Sequence, residues 1–479
     1  MSFADPAIKD LSVHWKSDWK RKLVAGGLAL LLSLRHTTVI GQLKPDSVTL
    51  AASLQYRNPG LLNTVLLGSN YRKVWQTPVR LPVFYLRRQG FRIKELGGGN
   101  QTLSLQLVDR EGREWALRTV EKNVAGALPP LLGKTFVRVL AQEQVSGAHP
   151  YAPLVVAPLT KALGVPAPDP VFYFVPDDPD LGAYRTLFAG TMCMLEERGP
   201  TPDRSRTQNT EKVLERLVDK GSVRPDGALI LRARALDLLV GDWDRHAGQW
   251  RWADKSPQLV YAIPRDRDQA FYFTNGLLPR ILQKIALRFL VSFNDDLSNW
   301  RSLTYKSWPF DRYFLSGLDR DHWARVLGET QAALSDSVLT AAVDALPPEI
   351  RPLSRDGLLR KLKGRRDQLQ KRGLSYYRFL SGYVDVFGSD TSEEFEVSGA
   401  GDTLRVRVFK LEGERRGRLL YDRRFLRSDT RLVRLRGMRG ADRFVVAGDR
   451  SRIRVQIGTD DGDDQYHFSG EKRVRRIRR

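Results

Sequence analysis

Residues Asp237 to Phe271 read DLLVGDWDRHAGQWRWADKSPQLVYAIPRDRDQAF, and this stretch decides the fold. The apolar run Leu238-Leu239-Val240 ends in Gly241 and delivers Asp242, Asp244, Arg245 and His246 into a turn. A second apolar run (Leu259, Val260, Tyr261, Ile263) delivers Asp266 and Asp268. Carboxylates at the ends of buried elements are costly to keep there, so two such pairs flanking one hairpin point to chemistry rather than to a solvated loop. Phosphoryl transfer asks for this division of labour. One Asp accepts the proton of an attacking hydroxyl, a neighbour a few residues on helps hold a metal, and a second Asp holds the metal ions on the nucleotide phosphates.

Asp244-Arg245-His246-x-x-Gln249, followed some twenty residues later by Asp266 and then Phe271, resembles the D-R-H-x-x-(N/E) catalytic loop and metal site of atypical kinases: the secretory-pathway protein kinases, the phosphoinositide kinases and the HipA-like serine kinases. The resemblance implies a catalytic group of Asp244, Arg245 and His246, with Asp244 as base and the other two orienting it. It implies metal ligands at Asp266, with Asp268 beside it, and at Gln249. Gln249 stands where Asn or Glu is usual and offers a neutral carbonyl oxygen.

Upstream, Gly97-Gly98-Gly99-Asn100-Gln101-Thr102 precedes the alternating strand Leu103, Leu105, Leu107, a turn at Asp109 to Arg113, and a second strand, Trp115 to Val120, ending in Glu121-Lys122. A Gly-rich bend lets backbone amides approach phosphates, and a Lys past the next strand can reach them. Gly97, Gly98, Gly99 and Lys122 are therefore expected at a nucleotide. From Gly133 a helical pattern (Phe136, Val139, Leu140) carries Glu143, the candidate partner of Lys122, with Gln142 or Gln144 as alternatives. The strands Val171 to Val175 and Phe188 to Leu195 run into Glu196-Glu197-Arg198-Gly199-Pro200, the pattern of an interlobe hinge lining an adenine slot; Glu197 is the residue expected there. His149 and Cys193 are expected to be structural.

Helical patterns follow from Glu211, over Ala228 to Val240, and over Ile281 to Phe293, Asp321 to Leu334, Ser337 to Leu346 and Leu358 to Leu369, with Pro347-Pro348 and Pro352 as stops. The period then changes. Val384-x-Val386, Val433-x-Leu435 and Val455-x-Ile457 each lead through acidic residues to an aromatic (Phe395, Phe444, Tyr466), a threefold strand-turn-strand repeat. The expected class is α+β: a bilobal, atypical protein-kinase-like domain (42–200 and 201–380), then a small all-β repeat domain (381–471) and a basic tail (472–479).

At 479 residues, 42% hydrophobic and with ten Trp, the chain can bury real cores, which excludes wholesale disorder. Its formal charge of +23 favours polyanionic neighbours. Nucleotide and an anionic envelope surface or lipopolysaccharide suit that charge. Nucleic acid does not, because the cations are dispersed and no zinc knuckle or aromatic RNP pattern accompanies them. One cysteine excludes an internal disulfide and any Cys-based zinc site. Lys20-Arg21-Lys22 ahead of the apolar run Leu23 to Leu34, then Val39-Ile40-Gly41, has signal-peptide grammar, so residues 1–41 are expected to be a leader or anchor and the protein to be exported to the periplasm or outer membrane; without such a leader it would be cytoplasmic.

YRKVW (Tyr71 to Trp75), GGGNQTLSL (Gly97 to Leu105), AHPYAP (Ala148 to Pro153), LEER (Leu195 to Arg198), GDWDRH (Gly241 to His246) and PRDRDQ (Pro264 to Gln269), in that order, resemble an uncharacterised bacterial family of Bacteroidota type over roughly residues 43–470. In its longer relatives a similar region lies between a calcineurin-like phosphoesterase and an outer-membrane surface-antigen barrel. The expected function is ATP- and Mg2+- or Mn2+-dependent phosphoryl transfer to an unknown acceptor. Two alternatives are a catalytically silent kinase-like scaffold of the cell envelope and a metallophosphoesterase. For the last, GDWDR is one residue short of the GDxxDR ligand motif and its companion elements are missing.

Overall fold

The computed structural model describes residues 46–57, 60–98, 102–124, 141–285, 287–447, 451–459, 463–469 and 474–478. The expected leader, Gly99 and the helical pattern between Gly133 and Leu140 lie outside them. Among the described residues no helix is long and apolar enough to cross a membrane.

Alternating apolar residues make the first sheets. Strands β1 (Ser47–Leu50) and β2 (Val79–Pro82) pair antiparallel. Then β3 (Arg92–Gly97), β4 (Ser104–Val108), β5 (Glu114–Thr119), β6 (Val171–Val175) and β7 (Thr191–Glu197) form one antiparallel sheet in the order β3-β4-β5-β7-β6. Leu105, Leu107, Leu117, Cys193 and Leu195 point to one face of it, where they pack on Phe84, Phe91 and Phe188. The two-residue period leaves the opposite face to Ala116, Arg118 and Glu196.

The helix Gly227–Val240 is the buried axis of the helical region. Asp226 caps it, its side chain accepting from the Leu229 amide (3.1 Å), and Gly241 ends it at φ 71°, the left-handed geometry that favours glycine. Its last carbonyls are met from another element. Arg365, buried in the long helix Arg351–Ser381, donates to the carbonyls of Leu238 (2.6 Å) and Leu239 (2.7 Å) and also to those of Asn294 and Asp296. Orphan carbonyls at a helix end carry partial negative charge, so a guanidinium there satisfies both hydrogen bonding and dipole. Pro352, expected to stop a helix, instead sits in the first turn of this one, where its missing amide costs nothing.

β8 (Arg224–Pro225), just before the helix Gly227–Val240, joins β9 (Trp250–Ser256) and β10 (Leu259–Pro264), which follow the turn, in one three-stranded sheet, with β9 and β10 antiparallel and Trp250 opposite Pro264. The chain leaving the acidic turn and the chain approaching Asp266 therefore meet at one end of the hairpin. Helices Leu277–Ile285, Arg320–Ala333 and Asp336–Val343 come next, the first ending earlier than the apolar pattern suggests.

The remaining strands are β11 (Tyr383–Phe387), β12 (Glu393–Ala400), β13 (Thr403–Glu412), β14 (Arg415–Leu426), β15 (Leu432–Arg436), β16 (Arg443–Ala447), β17 (Arg454–Thr459), β18 (Gln465–Phe468) and β19 (Val474–Arg478). One sheet runs β11-β15-β17-β19, all parallel; the other runs β14-β13-β12-β16-β18, with β12, β16 and β18 parallel. Phe395, Phe444 and Tyr466 stack at 4.9 and 5.4 Å, close to the spacing of adjacent strands. Val474–Arg478, the described part of what reads as a basic tail, make β19, so the sheet extends through them.

Candidate functional site

Beneath the acidic turn lies a buried charge network. Arg245, 1% exposed, donates to Asp237 (3.1 Å), Asp242 (2.7 Å) and the carbonyl of Gln249 (3.3 Å), and also to the carbonyl of Arg265. Arg234 bonds Asp311 (3.0 Å) and Asp237, and Arg267 pairs with Asp237 and, at 3.8 Å, with Asp242. Three carboxylates meet three guanidiniums, so the cluster is balanced, which is what allows it to be buried. Burial pushes Asp242 up in spite of Arg245.

This corrects two expectations. Arg245 points away from Asp244 into the network and is a structural anchor of the turn. His246 is exposed, its Nδ1 accepts from the Gly248 amide (3.1 Å), and it makes no hydrogen bond to Asp244. Asp244 is held instead by Lys306, a residue that no motif marks, whose Nζ lies 2.6 Å from Oδ1. The Lys306 ammonium also sits over the rings of Trp243 (4.6 Å) and Phe289 (4.7 Å). Gln249 places Nε2 3.5 Å from Asp244 Oδ2, while its Oε1 is buried without a hydrogen-bond partner. A buried amide oxygen left open in this way costs about 1–3 kcal/mol unless something fills it.

The backbone brings the second acidic pair alongside. The Arg265 amide donates to the Gln249 carbonyl (2.9 Å), and Asp266 and Phe271 both adopt left-handed geometry at φ 53° and 62°. A buried Phe at positive φ is strained, and it is pinned by its amide on the Val240 carbonyl (2.8 Å) and by the Tyr71 hydroxyl on its own carbonyl (2.8 Å). Strain of this kind concentrates at functional sites.

Each carboxylate of the second pair meets a cation from the antiparallel sheet. Asp266 pairs with Arg118 of β5, which also reaches Glu196 of β7 (3.2 Å). Asp268 meets Lys122, just past β5, at 2.6 Å. Burial pulls the Asp268 carboxyl up, but Lys122 and then Arg118 and Arg245 outweigh it and hold it below the usual range. Lys122 thus stands at the acidic segment, but Glu143 is not its partner: Glu143 pairs with Arg72 at 2.6 Å. Arg118 and Glu196 were missed although the alternation of β5 and β7 could have found them. Glu197 faces the other way, toward Asp109 and Arg113, and burial pushes its carboxyl up. Gly97 ends β3 and Gly98 follows it. Gly98, at φ 123°, would drive a Cβ to within 2.4 Å of the Thr102 carbonyl, so only glycine suits this bend.

Among the described residues no three His, Cys, Asp or Glu side chains converge as a metal site. A divalent ion here would rest on Asp266 and the open Oε1 of Gln249, with phosphate oxygens completing its shell, which suits Mg2+ or Mn2+ better than an all-protein site would.

No family model matches the chain, and no curated protein matches it. Among solved structures it is similar to the proinflammatory kinase CtkA of Helicobacter pylori, at 10% identity over 61% of this chain and 99% of that one, with a TM-score of 0.34. It is similar also to HipA of the Shewanella oneidensis toxin-antitoxin system (12%, 60% and 66%, TM-score 0.29) and to the Golgi casein kinase with Mn and ADP bound (14%, 60% and 74%, TM-score 0.30). Likeness this loose leaves any assignment to the residues themselves.

Proposed function

We propose that the protein is a phosphotransferase of atypical kinase type, dependent on ATP and a divalent metal. The observation that carries this is the meeting of Asp266 and Asp268 with Arg118 and Lys122 on a segment tied, through the Arg265 amide on the Gln249 carbonyl, to the turn that carries Asp244 and the open Gln249 oxygen. In this reading Arg118 and Lys122 are phosphate-binding cations that rest on the carboxylates until nucleotide arrives, and Asp266 and Gln249 hold the metal. Asp244 takes the acceptor hydroxyl proton, and Lys306 sits where negative charge would develop. Gly97 and Gly98 cover the phosphates with backbone. The metal, when bound, supplies charge neutralisation between phosphate oxygens.

One observation favours the silent scaffold: Asp244, Asp266 and Asp268 each already have a cation partner. Purified protein separates the two. MgATP should raise its melting temperature, by an amount equivalent to about 2.7 kcal/mol at a hundredfold excess over Kd, and Arg118→Ala or Asp266→Ala should remove the gain. No shift in the wild type at millimolar MgATP would contradict the kinase reading. Export to the cell envelope is part of the same proposal, tested by the N-terminus of the mature protein.

A further inference from the structure

The geometry points to a second functional surface, a docking face for an anionic lipid bilayer formed by the helices Gly60–Leu67 and Leu277–Ile285. The two helices are locked end to end. The Ser69 amide donates to Asn275 Oδ1 (2.8 Å), and Asn275 Nδ2 donates to the Ser69 hydroxyl (3.0 Å). A Cβ on Gly276 would lie 2.3 Å from the Leu67 carbonyl carbon, so this approach is closed to any other residue. The joined face is a built feature of the fold.

It is also apolar in the open. Leu61 (89% exposed), Leu62 and Val65 project from the first helix, and Leu277, Ile281 and Ile285 (74%) project at helical spacing from the second. Single exposed aliphatics need no explanation, but six on two packed helices do.

Charge selects the partner. Arg280 and Lys284 lie on the exposed side of the second helix and Arg288 lies just beyond it, and none of the three has a carboxylate partner among the described residues. Residues 47–94 and 269–294 contain no Asp or Glu at all, in a chain with 55 of them. Unpaired cations beside exposed aliphatic side chains are what an anionic headgroup layer over acyl chains selects, whereas protein interfaces are depleted in Lys. The face is tied to the catalytic segment through Asn275, seven residues after Asp268, but its existence does not depend on the kinase reading.

Co-sedimentation of the full-length protein with vesicles tests this. Binding is expected to equimolar phosphatidylcholine and phosphatidylglycerol and to be weak on phosphatidylcholine alone. Each basic residue at such a surface contributes about fivefold, so Arg280→Glu/Lys284→Glu should weaken binding by at least about 25-fold. Ile281→Asp/Ile285→Asp should abolish retention at high salt, where charge attraction is screened. Arg415→Glu/Arg431→Glu, on the exposed β region, should bind as wild type. All four substituted side chains in the first two variants are solvent-exposed, so an unchanged melting temperature is expected and should be checked first. Equal retention of wild type and Ile281→Asp/Ile285→Asp, equal loss from the Arg415 and Arg431 control, or absence of vesicle binding with capture of a protein instead would each overturn the inference.

Discussion

Replacing Arg245 by methionine should damage the protein far more than replacing its neighbour Asp244 by asparagine, although both belong to one motif. Arg245 is 1% exposed and stands among Asp237, Asp242, Asp311, Arg234 and Arg267. Its removal leaves three buried carboxylates facing two guanidiniums, and the loss of one partner from a buried pair costs about 3–5 kcal/mol. Asp244 is a quarter exposed and bonded to a part-exposed Lys306, so its neutralisation should cost about 1 kcal/mol or less. For a cooperative unit of this size each kcal/mol moves the melting midpoint by about 2–4 °C, which predicts a fall on the order of 10 °C for Arg245→Met and about 3 °C for Asp244→Asn. Fluorescence of the buried Trp250 and Trp252 reports the transition. The double variant Arg245→Met/Asp242→Asn restores charge balance and should recover part of the loss. An Arg245→Met midpoint within about 2 °C of wild type, or a double variant no better than the single one, would refute the buried-network account.

Three further outcomes are expected from the geometry. Lys306→Met removes a charge-assisted bond of 2.6 Å at Asp244 and should lower transfer about 10- to 100-fold, with MgATP stabilisation retained and partial activity in Lys306→Arg; equal loss of nucleotide binding would place Lys306 elsewhere in the site. Arg365→Met exposes the Leu238 and Leu239 carbonyls to apolar surroundings and should cost about 3 kcal/mol in urea unfolding, against no loss if the bonds are incidental. In the β region, burial together with Glu393 and Asp464 pushes Asp442 up to about 9, whereas an unfolded Asp titrates near ~4. The folded state thus holds a proton that the unfolded chain has released. The stability linked to it is complete below about pH 4 and declines up to about pH 9, by at most ~1.4 kcal/mol per unit. Melting midpoints at pH 5 and pH 8 should therefore diverge more in wild type than in Asp442→Asn, and parallel curves would contradict the assignment.

Particular residues show what the sequence could reveal. The two-residue alternation in β4 and β5, the apolar runs before Asp242 and Asp266 and the stop at Gly241 are local signals, and the helix ending at Val240 and the hairpin β9–β10 were legible from them, while the cap at Asp226 was not read. The acidic segments were legible because apolar runs deliver them. Their partners were not. Lys306 meets Asp244 across 62 positions, Arg365 reaches Leu239 across 126, and Arg72 rather than Lys122 takes Glu143 across 71. Such pairings depend on how distant elements pack, which no window of sequence contains. Arg118 is a different case: a Gly-rich bend calls for a Lys beyond the next strand, whereas the cation that meets Asp266 stands within that strand, two residues from Ala116 on the same face.

The most direct test of the account is transfer of the γ-phosphate from radiolabelled ATP, by wild type and Asp244→Asn, to the protein itself and to envelope extracts, with MgATP binding measured on both. Asp244→Asn preserves shape and the metal-side residues. The account predicts equal nucleotide binding and transfer lower by about a hundredfold or more in the variant, while Asp266→Asn loses both. Equal transfer by wild type and Asp244→Asn would contradict it.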